Sequence, residues 1–272
     1  MKNIINIIRT DARAKEDTEL LKLEEMAPTA LKMDFDNVGL LVGDKNKSVN
    51  KCLIALDITD DVIKEASDMG AQLIVSHHPI IFGGIKSVTA DDLVGRKIIA
   101  LLGGGMSAIC MHTNLDIARG GVNDALISAL GVGASSYLEP ADAPDEGCGR
   151  IGEYEDAMEF EKFLSLCKDK LSANGLRYHY AGRPVKKLAV MGGSGGSALM
   201  YAVNAGCDTY VTSDIKYNSF LDAKELGINL IDADHFCTEN VIVPVLERSL
   251  SKEFPDVCFK ISEVHGQTAQ FY

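Results

Sequence analysis

CLIALDITDDVIKEASDMGAQLIVSHHP, residues 52–79, is the stretch on which the fold turns. CLIALD (52–57) is a short, apolar, β-rich run that reads as a buried strand. TDDVIKEASDMG (59–70) carries Val62, Ile63, Ala66 and Met69 at helical spacing, with Thr59 as N-cap and Gly70 as C-cap. LIVS (73–76) is the next strand, and Pro79 ends the extended run. Strand, helix and strand in this succession form a right-handed crossover, whose strands lie parallel in a sheet covered on both faces.

The same alternation extends outward. A helix is expected over 17–26, ended by Pro28, then a helix over 91–102, a strand over 107–111 and a helix over 121–130. Residues 131–149 break the pattern with Gly131, Gly133, Pro140, Pro144 and Gly147, and read as a connection. The alternation then restarts. Strands are expected at 187–192, 209–212 and 228–233, and helices at 196–205, 218–226 and 238–251. This predicts an α/β fold of two linked lobes with mostly parallel sheets. The N-terminal lobe is expected over 17–136, the linker over 137–149 and the C-terminal lobe over 150–272. Laying Lys51 on Lys187 also lays Gly70 on Gly206 and His78 on Asp214, without a gap. An internal duplication is therefore expected.

Composition narrows the function. The 272 residues are 46% hydrophobic and 24% charged, the proportions of a soluble globular protein. A net charge of −12 with no basic cluster disfavours nucleic acid and anionic lipid as partners. No apolar run approaches the ~18 residues of a membrane span. The N-terminal apolar stretch is broken by Arg9, Asp11 and Arg13, unlike a signal peptide. Seven cysteines without a CxxC pair read as reduced thiols, so a cytoplasmic location is expected.

Chemistry collects at strand ends, where an α/β sheet presents its ligands. His77 and His78 directly follow one strand, and His112 and Asp116 follow the next. His235 and Glu239 lie four apart at the start of a helix, on one face of it. Imidazole mixed with carboxylate suits Zn, Fe, Mn or Co and is too rich in nitrogen for a Ca or Mg cage. Five donors, His77, His78, Asp116, His235 and Glu239, exceed the need of one catalytic zinc, and two divalent ions sharing a carboxylate would use them all. His112 is read as a residue that orients the loop or a ligand. His179 and His265, with no evident carboxylate neighbour, are read as structural or surface residues. The Gly-rich turn VMGGSGGS (190–197) fits either close helix–sheet approach or an anion cradle. DNVGLLVGD (36–44) brackets a small apolar hairpin with Asp36, Asn37 and Asp44, and no catalytic role follows from it.

DNVGLLVGD, VSHHPIIF, HTNLDIARGGVNDAL, MGGSGG, YVTSDIKYN and DHFCTE occur in that order. In this the chain resembles the GTP cyclohydrolase I type 2 homologs, dinuclear-metal proteins related to the yeast NGG-one-interacting factor three. The resemblance covers residues 17–272. It implies two α/β lobes, a two-metal site between them held by the same five donors, and a toroidal homohexamer. Two positions depart from the family: Asn218 stands where a His is common, and Asp234-His235-Phe236 replaces Gly-His-Tyr. The expected function is a metal-dependent hydrolase acting on a nucleotide or phosphoester-type small molecule, with water activated by the ions as the attacking group. A non-enzymatic metal-binding adaptor or metal-handling protein is the alternative.

Overall fold

The computed structural model describes residues 22–141 and 146–272. Of the helix expected over 17–26, the described part is Lys22–Met26, and the rest lies outside the described residues. Eleven strands are described: β1 (Gly39–Val42), β2 (Lys51–Ala55), β3 (Leu73–Ser76), β4 (Ser107–Cys110), β5 (Ser136–Pro140), β6 (Gly147–Met158), β7 (Arg177–His179), β8 (Val185–Val190), β9 (Thr209–Thr212), β10 (Asn229–Asp232) and β11 (Cys258–Ile261). They form two sheets in two compact units. The first unit takes the described residues up to Leu115 together with Val243–Gly266. The second takes Asp116–Ile242 and Gln267–Tyr272.

The first sheet runs β1-β4-β3-β2-β11. The strands β4, β3, β2 and β11 are mutually parallel, and β1 is antiparallel at the edge. Its founding crossover forms as its sequence dictates. The Thr59 side chain accepts from Val62 N, capping the helix Asp60–Asp68, which buries Val62, Ile63 and Ala66. These pack with Leu53, Ala55 and Ile74 of the sheet. Burying three such side chains is worth roughly 4–8 kcal/mol before the entropy of ordering them is subtracted. The helix expected over 91–102 forms as Leu93–Gly103, capped by Asp92 onto Gly95 N at 2.7 Å.

The second sheet runs β5-β6-β8-β9-β10-β7. Its centre, β8-β9-β10, is parallel, and its flanks are antiparallel. Both faces are covered. Val190, Val211 and Ile231 point into one apolar cluster, while Ala189, Tyr210 and Leu230 point into another. Residues 137–149, expected as a linker, supply most of β5 and the start of β6. Backbone pairing there outweighs the Gly and Pro content, because the Pro lies at the end of an edge strand where no ladder N–H is missed. The chain changes unit after Leu115, not within 137–149, and its segment Val243–Gly266 belongs with the first unit. The helix expected over 238–251 is three pieces, His235–Glu239, a 3₁₀ turn Asn240–Ile242 and Val243–Glu253.

The same hydrogen bonds recur at the matching positions of the two units. Gln72 N donates to Lys51 O and Asp208 N to Lys187 O, each at 3.0 Å. The Gln72 side chain accepts from Asn50 N and Lys51 N, as the Asp208 carboxylate accepts from Lys186 N and Lys187 N. Lys51 Nζ donates to Met69 O, and Lys187 Nζ to Ala205 O, closing the helix that follows each strand alike. Gly70 and Gly206 take φ of +69° and +71°, the left-handed turn after each helix.

Candidate metal centre

In the first unit the carboxyl ends of β2, β3 and β4 deliver Asp57, His77, His78 and His112. His77 is fully buried, and its Nδ1 lies 2.8 Å from Met111 O. His78 is half-buried, with Nδ1 2.8 Å from Asp57 Oδ1. His112 Nδ1 lies 2.7 Å from Asp36 Oδ1. The three ring centroids are 5.0, 5.3 and 5.6 Å apart. One ring nitrogen of each lies within 4.8 Å of the others. Each Nδ1 faces an oxygen acceptor, so it carries the proton, and the lone pair of a neutral ring sits on Nε2. This is the orientation that imidazole ligands of metal ions adopt.

His112 thus joins His77 and His78 as a donor, where its position in a loop had suggested an orienting role only. Asp36 is what holds it. That buried carboxylate also accepts from Thr113 N at 2.9 Å and from the Thr113 hydroxyl. Burial opposes its charge, but these bonds and His112 hold its pKa below the usual carboxylate range. Burial lowers the pKa of His112 in turn, so its ring is neutral. The DNVG stretch was conspicuous in sequence, but nothing local shows that Asp36 serves a histidine 76 residues away.

The second unit carries Asp116, His235 and Glu239. His235 Nδ1 lies 2.7 Å from Asp214 Oδ2, and Nε2 lies 3.1 Å from Glu239 Oε2. Burial opposes protonation of His235, yet the two carboxylates overcome it and raise its pKa to about 9. Asp116 and Glu239 offer carboxylate oxygens within 4.8 Å of one another, and Glu239 is buried. Two anionic carboxylates at that range repel unless a cation or proton sits beside them.

The frame around these groups is strained and crowded. Asp214 and Asp234, which flank His235 in space and in sequence, take φ of +53° and +70°. The Asp234 side chain accepts from Cys237 N and caps the helix His235–Glu239. Gly193 takes φ of +63°, and a Cβ there would overlap Glu239 Oε1. Its N–H donates to Thr238 Oγ1 at 3.0 Å, so the Gly-rich turn serves close approach to Glu239. Asn123 Nδ2 donates to Asp116 O at 2.9 Å. The buried Arg150 grips Asp124 through both Nε and Nη2, and donates to Ala118 O at 3.0 Å. Burial, reinforced by the Asp116 carboxylate, pushes the Cys148 thiol up to about 12. The candidate groups are imidazole and carboxylate, nitrogen and oxygen donors that fit a divalent first-row ion.

One reading from sequence changes. His265 has a carboxylate neighbour after all: its Nε2 lies 3.0 Å from Asp57 Oδ2. Asn218 is exposed on the helix Tyr217–Leu226. No helix among the described residues is long and apolar enough to cross a membrane.

The family model described as Duf34/NIF3 (NGG1p interacting factor 3) matches residues 17–268. A Clostridium perfringens protein named GTP cyclohydrolase 1 type 2 homolog is 39% identical over 246 residues, which are 89% of this chain and 93% of that protein. A Staphylococcus aureus crystal structure, hypothetical protein SA1388, superposes with a TM-score of 0.86 at 30% identity, covering 92% of this chain and 96% of that one. A Bacillus cereus protein related to NIF3 superposes with a TM-score of 0.85 at 26% identity, with the same coverage.

Proposed function

The chain belongs to the Duf34/NIF3 family, and from that premise we propose that it is a dinuclear metal-dependent hydrolase. The ligands are His77, His78, Asp116, His235 and Glu239, with His112 as a further imidazole donor beside His77 and His78, and the substrate is a nucleotide or phosphoester-type small molecule. The observation that carries this reading is the uniform orientation of the imidazoles. His77, His78, His112 and His235 each present Nδ1 to an oxygen acceptor. Two ions held there would supply Lewis acidity and make water a stronger acid at neutral pH.

The chain's own residues divide the remaining work. Asp57, Asp36 and Asp214 hold three rings in the tautomer that leaves Nε2 basic. Glu239 and Asp116 supply negative charge against two dications. His77, fully buried and fixed to Met111 O, gives the site a rigid corner. Zn, Fe, Mn and Co all suit this donor set. The name borne by several relatives, GTP cyclohydrolase 1 type 2 homolog, favours a nucleotide over other phosphoesters.

One observation favours a second reading, a metal-binding adaptor or metal-handling protein without turnover. By the resemblance, Asn218 stands where the family commonly has a titratable His, and its side chain cannot move a proton. The deciding experiment loads the protein with Mn, Fe or Zn and offers a panel of nucleotides and phosphoesters, with His77→Ala as control. Turnover that disappears in the control supports the hydrolase. Bound metal with no turnover of any substrate leaves the metal-handling reading in its place.

A further inference from the structure

His78 is held from behind by more than Asp57. The segment after β11 returns along the sheet, with Ser262 N donating to Ile54 O at 2.9 Å. The Glu65 carboxylate, from the helix Asp60–Asp68, fastens that segment: it accepts from the Ser262 hydroxyl and from Glu263 N. His265 N then donates to Ser262 Oγ at 3.3 Å, and its ring reaches the end of β2. There His265 Nε2 lies 3.0 Å from Asp57 Oδ2, while the other oxygen, Oδ1, takes His78 Nδ1 at 2.8 Å. Asp57 N also lies 3.2 Å from the same Nε2; the nearer, charged Oδ2 is the stronger partner, and the tautomer that pairs with it carries its proton on Nε2. The chain Glu65–Ser262–His265–Asp57–His78 joins residues 197 and 208 positions apart, and all of it lies in the first unit.

We infer that His265 is a positioning residue of the metal centre: by donating to Asp57 Oδ2 it fixes the carboxylate plane, so that Oδ1 locks His78 with Nε2 turned to the ion. A carboxylate held at one oxygen only can rotate about its Cβ–Cγ bond and lose the alignment of the second hydrogen bond. With both oxygens taken, one geometry remains. The inference rests on the metal-binding reading above, since it assigns His78 to an ion.

The test uses the full chain and Zn²⁺ alone, measuring zinc affinity by competition with a chromophoric chelator and zinc content at saturation. Removing a direct hydrogen-bond partner of a ligand weakens metal binding about 10–100-fold, and Asp57→Asn should fall in that range. His265 acts one bond further out, so His265→Ala should weaken binding less, about 3–10-fold. His265→Gln, whose amide can donate to the same oxygen, should recover most of the loss. Two-bond ¹H–¹⁵N spectra of the metal-free protein should show His78 as the Nδ1–H tautomer in wild type and a mixture in His265→Ala. Unchanged zinc affinity in His265→Ala, with or without a lower melting temperature, overturns the inference. So does a Gln variant no better than Ala. A wild-type chain that takes up no zinc overturns instead the metal-binding reading itself.

Discussion

Glu239 places a buried carboxylate beside both His235 and Asp116 in the second unit, close enough to Asp116 to share a cation with it. Glu239→Gln keeps the volume and removes the charge that offsets two dications. Metal content should drop from about two ions per chain at both sites together, while far-UV circular dichroism stays unchanged. The fold should survive because its apolar cores do not include the donors, in contrast to a zinc finger that folds only on its metal. Two ions retained at wild-type affinity would refute the shared role of Glu239. His235 gives a second measurement in the metal-free protein. Its pKa rises from 6.5 to about 9 in the folded chain. A raised pKa means that the stabilisation is complete below the ordinary value and is lost as pH rises through about 9. Metal-free protein should therefore be more stable to urea at about pH 6 than at about pH 10 through this group, and Asp214→Asn should shrink the difference. A binding ion must displace that proton, so loading below about pH 9 should release it. A His235 imidazole signal titrating at its ordinary pKa would contradict this.

The helix His235–Glu239 has five residues, too few to hold itself together in isolation. Its cap therefore matters. Asp234 contributes a capping oxygen to Cys237 N at 3.2 Å but takes a φ of +70°, a region that suits Gly and strains an L side chain. The two effects oppose each other and are of similar size, ~1 kcal/mol for the cap and ~1–3 for the backbone. Asp234→Gly relieves the strain as it removes the cap, and should leave stability to urea within about 1 kcal/mol of wild type. Asp234→Ala removes the cap and keeps the strain, and should lose about 1 kcal/mol or more. If Gly proves the more harmful substitution, the strain is not real and the cap dominates. The parallel strands behave differently from this helix. Buried on both faces, β3 and β9 are held by neighbours on each side, and both were evident from their own residues, LIVS and TYVT.

At the scale of the whole molecule, the family resemblance leads to a testable mass. Light scattering of the purified chain at micromolar concentration should give six chain masses, and elemental analysis about two divalent ions per chain. A monomer would remove the hexamer, and at most one tight ion under saturating Mn or Zn would remove the dinuclear assignment. The alternation of strand and helix in both halves was legible in the sequence alone. The reason is that strand and helix periodicity and capping are local, and each crossover states its own direction. The donor types were legible for the same reason, since His77, His78 and His235 sit at strand ends that the apolar runs mark out. The strands within 137–149 were not, because Gly and Pro argue locally for a turn and only pairing with Ile151 and its neighbours makes them a sheet edge. Nor could the sequence by itself say which oxygen holds which ring. Asp36 with His112, Asp57 with His78 and His265, and Asp214 with His235 meet through the order of strands in each sheet. That order is decided by how whole apolar faces pack, a global balance that no local pattern of residues encodes. It is the tertiary structure that turns a list of histidines into rings with one nitrogen held and the other placed in a group that could hold a metal ion.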